Sequence, residues 1–183
     1  TAGAIVAGVP VGILTAVFLA FYCPKHLYKP LKSATELLAG IPSVVYGFFG
    51  LVLLVPFIRE HIGGKGQSIL AASILLGLMI LPTIIGVSES ALRAVPGSFY
   101  EGAVALGATH EEAIFRTVLP AAKSGVMAGV ILGIGRAIGE TMAVIMVVGN
   151  QARLPESVLE GVRTLTGNIV IEMGYAAGLH REV

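Results

Sequence analysis

The chain has 183 residues, 55% of them hydrophobic and 13% charged, and a mean hydropathy of +0.88, too apolar for an ordinary soluble domain and too poor in charge to cover one. Twelve basic residues stand against eleven acidic ones, all glutamate, and a net charge of +1 gives no field suited to nucleic acid. The single cysteine, Cys23, excludes an intrachain disulfide and a cysteine metal cluster, and at the edge of an apolar run it reads as a small filler. The composition is that of an all-α, polytopic membrane protein surrounded by lipid, with no metal site expected.

From Thr1 to Pro24 no residue is charged. About 20 such residues cross roughly 30 Å of hydrocarbon, so a first span is expected at about residues 2–22. No Met and no basic segment precede this run, which therefore does not read as a signal peptide. Lys25, His26, Lys29 and Lys32, interrupted by Pro24 and Pro30, form a basic connector that the positive-inside rule places in the cytoplasm. Ser33 and Glu36 have the S/T-x-x-E spacing of a capping box and are expected to open a helix carrying the second span, about 37–58, bent at Pro42. On it Ser43, Tyr46 and Gly47 suit interhelical packing, with the lining of a translocation path as the alternative.

The loop that follows contains GGKGQS, which lacks the first glycine of a Walker A motif and the hydroxyl residue directly after its lysine, so no ATP is expected there. The third span is expected at about 68–87, kinked at Pro82 and continued as helix to Val95, where Pro96 and Gly97 stop it.

Ser98 to Pro120 reads as a polar hairpin of two short helices. Ser98 stands three residues before Glu101, and Thr109 three before Glu112, each a capping-box spacing. Gly107 lies between the halves where a left-handed cap is needed, and Pro120 removes the donor that would continue the second helix. A connector between spans needs no such architecture unless something docks on it.

The fourth span is expected at about 124–149. Gly125, Gly129 and Gly133 repeat at i, i+4, i+8, the small-residue signature of close helix approach. At 100° per residue, Arg136 and Glu140 project within about 80° of the same sector, toward the bundle. Charges inside a span cost about 3 kcal/mol each on insertion scales and usually serve function. Arg136 offers a forked donor matched to a phosphate's oxygens, and Glu140 could orient it or accept a proton. An internal ion pair is the structural alternative, although Arg before Glu is the weaker i, i+4 order. Thr141 could add a hydroxyl ligand or bond its own helix backbone. A GxGxxxG run through Gly133, Gly135 and Gly139 has no preceding strand and carries nothing. Past Asn150, Arg153, Glu156, Glu160, Arg163 and Glu172 alternate with apolar residues, predicting one or two surface helices in the segment 150–183.

The order Glu101, Gly102, Ala103, Gly107, Leu119, Pro120 resembles the E-A-A-x3-G-x9-I-x-L-P loop of ABC-importer permeases, the binding-protein-dependent transport permeases. Gly102 replaces the first alanine and Thr117 the isoleucine, with the spacing intact. The runs IPSVVYGFFGL, Ile41 to Leu51, and RAIGETMAVIMVVGN, Arg136 to Asn150, resemble the permeases of phosphate importers. The resemblance implies a type I, MetI-like transmembrane core, a single permease domain over 1–183 that is a fragment lacking at least one span at each end, in the cytoplasmic or inner membrane of a bacterium or archaeon. It implies that 98–120 is the cytoplasmic loop coupled to an ATPase through Glu101, Gly102, Ala103, Gly107, Leu119 and Pro120, and that 150–183 is extracytoplasmic. Arg136 and Glu140 are implied to lie in the phosphate path, to which the Thr141 hydroxyl could add. The implied partners are a second permease, an ATPase dimer and an extracytoplasmic phosphate-binding protein, with ATP and Mg on the ATPase and no cofactor or bond chemistry in this chain.

Basic residues do not orient the protein by themselves. Lys25, Lys29, Lys32, Arg93, Arg116 and Lys123 fall on one side and Arg59, Lys65, Arg153, Arg163 and Arg181 on the other, so the loop resemblance carries the orientation. Within the class, a sulfate or molybdate permease or the partner phosphate permease remains open. A passive channel needs no docking hairpin. An intramembrane enzyme needs a nucleophile and base inside a span, whereas His26, His61, His110 and His180 all lie in connectors or the tail.

Overall fold

The computed structural model describes residues 1–173 and Tyr175. Its elements, in chain order, are α1 (Ala2–Val17), prolonged by a π turn (Phe18–Tyr22), α2 (Lys25–Gly40), α3 (Ser43–Phe49), a π turn (Gly50–Leu54), α4 (Val55–His61) and α5 (Ile69–Arg93). There follow α6 (Gly97–Ala105), α7 (His110–Ala113), a π turn (Ile114–Val118), α8 (Leu119–Ala121), α9 (Lys123–Gly139), α10 (Met142–Val147) and α11 (Leu165–Glu172). Among the described residues three helical runs are long and apolar enough to cross a membrane, Ala2–Tyr22, Ser43–His61 and Ile69–Arg93, and a bent pair, His110–Ala121 with Lys123–Gly139, makes a fourth if it counts as one span.

Three proline effects move boundaries away from the expected ones. Leu27 and Tyr28 donate to the Pro24 carbonyl at 2.9 and 3.0 Å, so α2 already starts at Lys25 and runs through Pro30. Ser33 therefore lies inside the helix, and its expected box with Glu36 does not form. Pro42 disfavours helix at the residue before it. α2 stops at Gly40, and the helix that can span begins at Ser43 and reaches His61, not 37–58. Pro96, with ψ 136°, starts α6 and accepts from Phe99 at 3.1 Å, so Ser98 falls in the first turn and caps nothing.

The fourth expected span is also interrupted. α9 bends by 71° from the preceding run and ends at Gly139, with Glu140 and Thr141 between it and α10. α10 ends where Gly149, at φ 84°, and Asn150, at φ 48°, turn left-handed, a conformation that glycine and asparagine tolerate. Beyond it, 151–164 is irregular, with Gly149 and Val162 forming an isolated parallel bridge. Among the described residues of the stretch expected to carry surface helices, only α11 is helical. His180, Arg181 and the rest of that segment past Met173, Tyr175 excepted, lie outside the described residues.

The chain divides into two compact units. The first comprises Thr1–Ala4, Ile41–Met79 and Ala137–Val183. Its core is Val55, Ile58, Leu75, Met79, Val144 and Val147 with their neighbours. A Cβ at Gly47 would lie 2.8 Å from the Ala143 Cα, and one at Gly50 2.8 Å from Val147 Cγ1, so α3 lies close against α10 at two successive glycines. The first amides of α5 have no intrahelical acceptor, and the irregular segment supplies one for each: Ile69 donates to Glu160 O at 3.0 Å and Leu70 to Val158 O at 2.9 Å.

The second unit comprises Ile5–Gly40 and Ile80–Arg136. Its core joins Ala16 and Val17 of α1, Leu92 of α5 and Ile114, Val118, Ala122 and Val126 from the second limb of the hairpin and the start of α9.

Candidate functional site

The hairpin is built by local codes. Its first limb, α6, ends at Ala105 with Leu106 as its C-cap. Gly107 adopts φ 91° and donates to Val104 O at 2.9 Å, while Ala108 donates to Ala103 O at 3.1 Å, closing the helix end through a left-handed residue. Thr109 opens the second limb with a complete capping box: the Glu112 amide donates to its Oγ1, and its own amide to Glu112 Oε2, both at 3.3 Å. The Tyr100 hydroxyl lies 2.8 Å from His110 Nδ1, and the Tyr22 ring meets that imidazole edge-on at 5.1 Å.

The inner side of the second limb, Ala113, Ile114 and Val118, is buried. The outer side of the hairpin is not. Glu101, Gly102 and Pro120 are exposed, Ala103 and Leu119 half-buried, and Leu106 is 91% exposed, with Phe99, Val104 and Phe115 also open. Apolar side chains ringed by Glu101, Glu111 and Glu112 make a surface suited to a protein partner.

In the second unit α9 packs antiparallel on α5 through its glycines. A Cβ at Gly125 would overlap Ala91, one at Gly129 would lie 3.1 Å from Ser88 Oγ, and one at Gly133 2.7 Å from Ile84 Cγ1. One turn on, Arg136 is half-exposed in the last turn of α9, where a cation suits the helix's negative end. Among the described residues its guanidinium has no hydrogen-bonding or ion-pair partner.

Glu140 does not continue the helical face of Arg136, because α9 stops at Gly139. It sits at the break, and its Oε1 accepts the Ala143 amide at 3.1 Å, satisfying an orphan donor of α10. Within the first unit it also lines a cavity of about 120 Å³ with Ser73, Thr164 and Thr166. Thr141 Oγ1 reaches the Gly139 carbonyl only at 3.5 Å, a long contact.

The sequence reading passed over Glu89. In the last turns of α5, 1% exposed, it accepts from the Tyr28 hydroxyl at 2.6 Å, Lys32 Nζ at 2.7 Å and Arg93 Nε at 2.9 Å. The bond to Glu89 raises the Tyr28 phenol above its ordinary pKa. An acid near the end of a long apolar helix, one turn before its single basic residue Arg93, is the signal the sequence offers.

Helices able to span a membrane, joined by a capped hairpin that turns apolar and acidic side chains outward, make a polytopic membrane protein with a surface suited to a protein partner. The fold is shared with a chain of the MetNI methionine ABC transporter, solved in inward-facing conformations, which superposes with a TM-score of 0.66 over 98% of this chain and 76% of that one at 24% identity.

Residues 8–178 match the family described as the binding-protein-dependent transport system inner membrane component, and the chain belongs to that family. It is 47% identical to the probable ABC transporter permease protein YqgH of Bacillus subtilis over 91% of this chain and 54% of that protein. It is 36% identical to the phosphate transport system permease protein PstC of Pasteurella multocida over 97% of this chain and 62% of that one, and 37% identical to PstC of Mesorhizobium japonicum over 96% and 60%. The chain thus spans between half and two-thirds of the length of these relatives.

Proposed function

We propose that this chain is the core of a permease subunit that moves inorganic phosphate across the cytoplasmic membrane of a bacterium or archaeon, driven by ATP hydrolysis on a partner. The observation that carries the reading is Arg136. A guanidinium with no partner among the described residues stands one turn beyond three glycines that bring α9 against α5, and its fork fits a tetrahedral oxyanion with two parallel hydrogen bonds. The likeness to phosphate permeases supplies the cargo. Glu140 and Thr141, at the break after α9, complete this chain's share of the path, with the Glu140 carboxylate oriented by the Ala143 amide.

The hairpin 98–120 is the docking surface for an ATPase dimer that holds ATP and Mg. Glu101, Gly102 and Ala103 on its first limb, Gly107 at its turn and Pro120 at its end carry the coupling, and Leu119 packs against the core. A second, PstA-like permease shares the pathway, and an extracytoplasmic phosphate-binding protein delivers cargo on the side of 150–183. Closure of the ATPase dimer displaces the hairpin and switches access between the two sides.

The test is labelled-phosphate uptake in phosphate-starved cells lacking their own high-affinity importer, supplied with the full-length protein and its partner subunits, wild type beside Arg136→Gln, with sulfate uptake run in parallel. Phosphate uptake alone, lost in the variant while the complex still assembles, is the expected result. Normal uptake by Arg136→Gln removes the site assignment, and sulfate uptake replaces the cargo with another oxyanion.

A further inference from the structure

α5 is apolar until its last two turns, where Glu89 is buried with three donors around it. Two of those donors, Tyr28 and Lys32, stand one turn apart on α2, and the third, Arg93, one turn on along α5. The second arm of Arg93 donates from Nη2 to the Leu19 carbonyl in the π turn after α1 at 2.9 Å, and its guanidinium lies 4.5 Å from the centre of the Tyr28 ring. One carboxylate therefore fastens the end of α1, the connector helix α2 and the end of α5.

Two further observations separate this cluster from an ordinary buried ion pair. First, its position: Pro96, where the hairpin begins, follows Arg93 by three residues, and Leu92, between the two charged partners, packs in the cluster that holds Ile114 and Val118 of the hairpin and Ala16 and Val17 of α1. The hairpin and the Glu89 cluster therefore adjoin one buried apolar core. Second, no residue of α2 is fully buried. The helix is held to α5 by the polar bonds of Tyr28 and Lys32, not by an apolar core of its own. Buried ion pairs rarely out-stabilise apolar packing, and their best-attested use is to fix one arrangement against others.

We infer that Glu89 is a positioning residue for coupling: it makes α2 move with the hairpin, so that displacement at the ATPase is carried along α2 to Gly40 and into the span that begins at Ser43. Its direction of action rests on the importer reading above; the mechanical link does not.

The test uses the full-length protein assembled with its partner permease and ATPase in lipid nanodiscs, with Cys23 replaced and spin labels at the exposed positions Ser33 on α2 and Ser90 on α5. In the wild type the Ser33–Ser90 distance is expected to be narrow and identical with and without trapped ATP. In Glu89→Gln it is expected to broaden and to change with nucleotide, and Glu89→Asp to restore the narrow distribution. In proteoliposomes with the binding protein, phosphate moved per ATP hydrolysed is expected to fall about tenfold in Glu89→Gln, the scale on which residues along a coupling route change linkage, with ATP hydrolysis itself within about twofold of wild type, which a merely destabilised fold does not give.

An unchanged distance distribution and an unchanged transport ratio in Glu89→Gln overturn the inference. Should that variant not assemble, Lys32→Met and Tyr28→Phe carry the test, and wild-type distances in both overturn it equally. A wild-type complex that moves no phosphate refutes the cargo reading and leaves the spin-label distances to decide this one.

Discussion

Gly133 and Gly135 lie two residues apart on α9, and an alanine at each meets opposite surroundings. At Gly133 the new Cβ lies 2.7 Å from Ile84 Cγ1 and 3.0 Å from Cδ1, whereas at Gly135 nothing stands within 4 Å. Carbon atoms pack at about 3.5–4.0 Å, so α9 and α5 must separate by about 1 Å around Gly133, or Ile84 must leave its rotamer. Overpacking of this kind costs about 1–3 kcal/mol, offset by about 0.5–1 kcal/mol of backbone entropy that replacing a helical glycine gains. Gly133→Ala is therefore expected to destabilise by about 1–2 kcal/mol. Gly135→Ala has only the gain, about 0.5–1 kcal/mol; that gain is common to both, so the two alanines differ by the overpacking cost, about 1–3 kcal/mol, roughly 5- to 160-fold in the unfolding equilibrium. Reversible unfolding of the purified full-length protein in bicelles, followed by denaturant titration, measures that difference. Equal shifts for the two variants, or stabilisation by Gly133→Ala, would refute the close approach of α9 to α5 on which the placement of Arg136 depends.

Substitutions at four further positions separate local roles from functional ones. Gly107 has open space where a Cβ would go but a φ of 91°; Gly107→Val is expected to cost about 1–2 kcal/mol through the left-handed backbone alone and to raise amide exchange across the hairpin, while Gly107→Asn stays close to wild type. Thr109→Ala is expected to lose about 1 kcal/mol of cap, seen as faster exchange at the Glu112 amide. Ser98→Ala, at a residue that caps nothing, is expected to change neither exchange nor stability. Glu140→Gln keeps an acceptor for the Ala143 amide and removes the charge, so it is expected to preserve the exchange pattern of α10 and to abolish phosphate uptake; undiminished uptake would reduce Glu140 to a helix cap.

The three expected capping boxes, at Ser33, Ser98 and Thr109, have the same S/T-x-x-E spacing, yet only Thr109 forms one. The other two lose to prolines upstream: the Pro24 carbonyl nucleates α2 nine residues before Ser33, and the extended Pro96 begins α6 one residue before Ser98. A capping motif says that a start is chemically permitted, and the earliest competent start takes it. Hydropathy has the complementary blindness. It stays high through Gly139, Glu140 and Thr141, so the run after Lys123 reads as one span, although a glycine and a side chain that can serve the next amides are enough to divide it into α9 and α10.

What periodicity cannot show is a partner distant in sequence. The charges of 151–164 are spaced as on a surface helix, but the backbone carbonyls of Val158 and Glu160 are engaged by the first amides of α5, and that use holds the segment irregular. Glu89 belongs to the same class. Its helix neighbours predict only the i, i+4 pair with Arg93, a pair worth little on an exposed surface. The donors that make its burial tolerable, Tyr28 and Lys32, lie 61 and 57 positions away on a helix that the sequence presents as a plain basic connector. In α2 the residues facing Glu89 are the polar Tyr28 and Lys32 while Leu27 and Leu31 stay exposed, the reverse of the amphipathic rule for a soluble domain. That inversion carries the physical argument: a connector held by its polar face to one buried carboxylate is placed by charge and not by core packing, and a single neutralising substitution can release it while the apolar core around Leu92 stays intact.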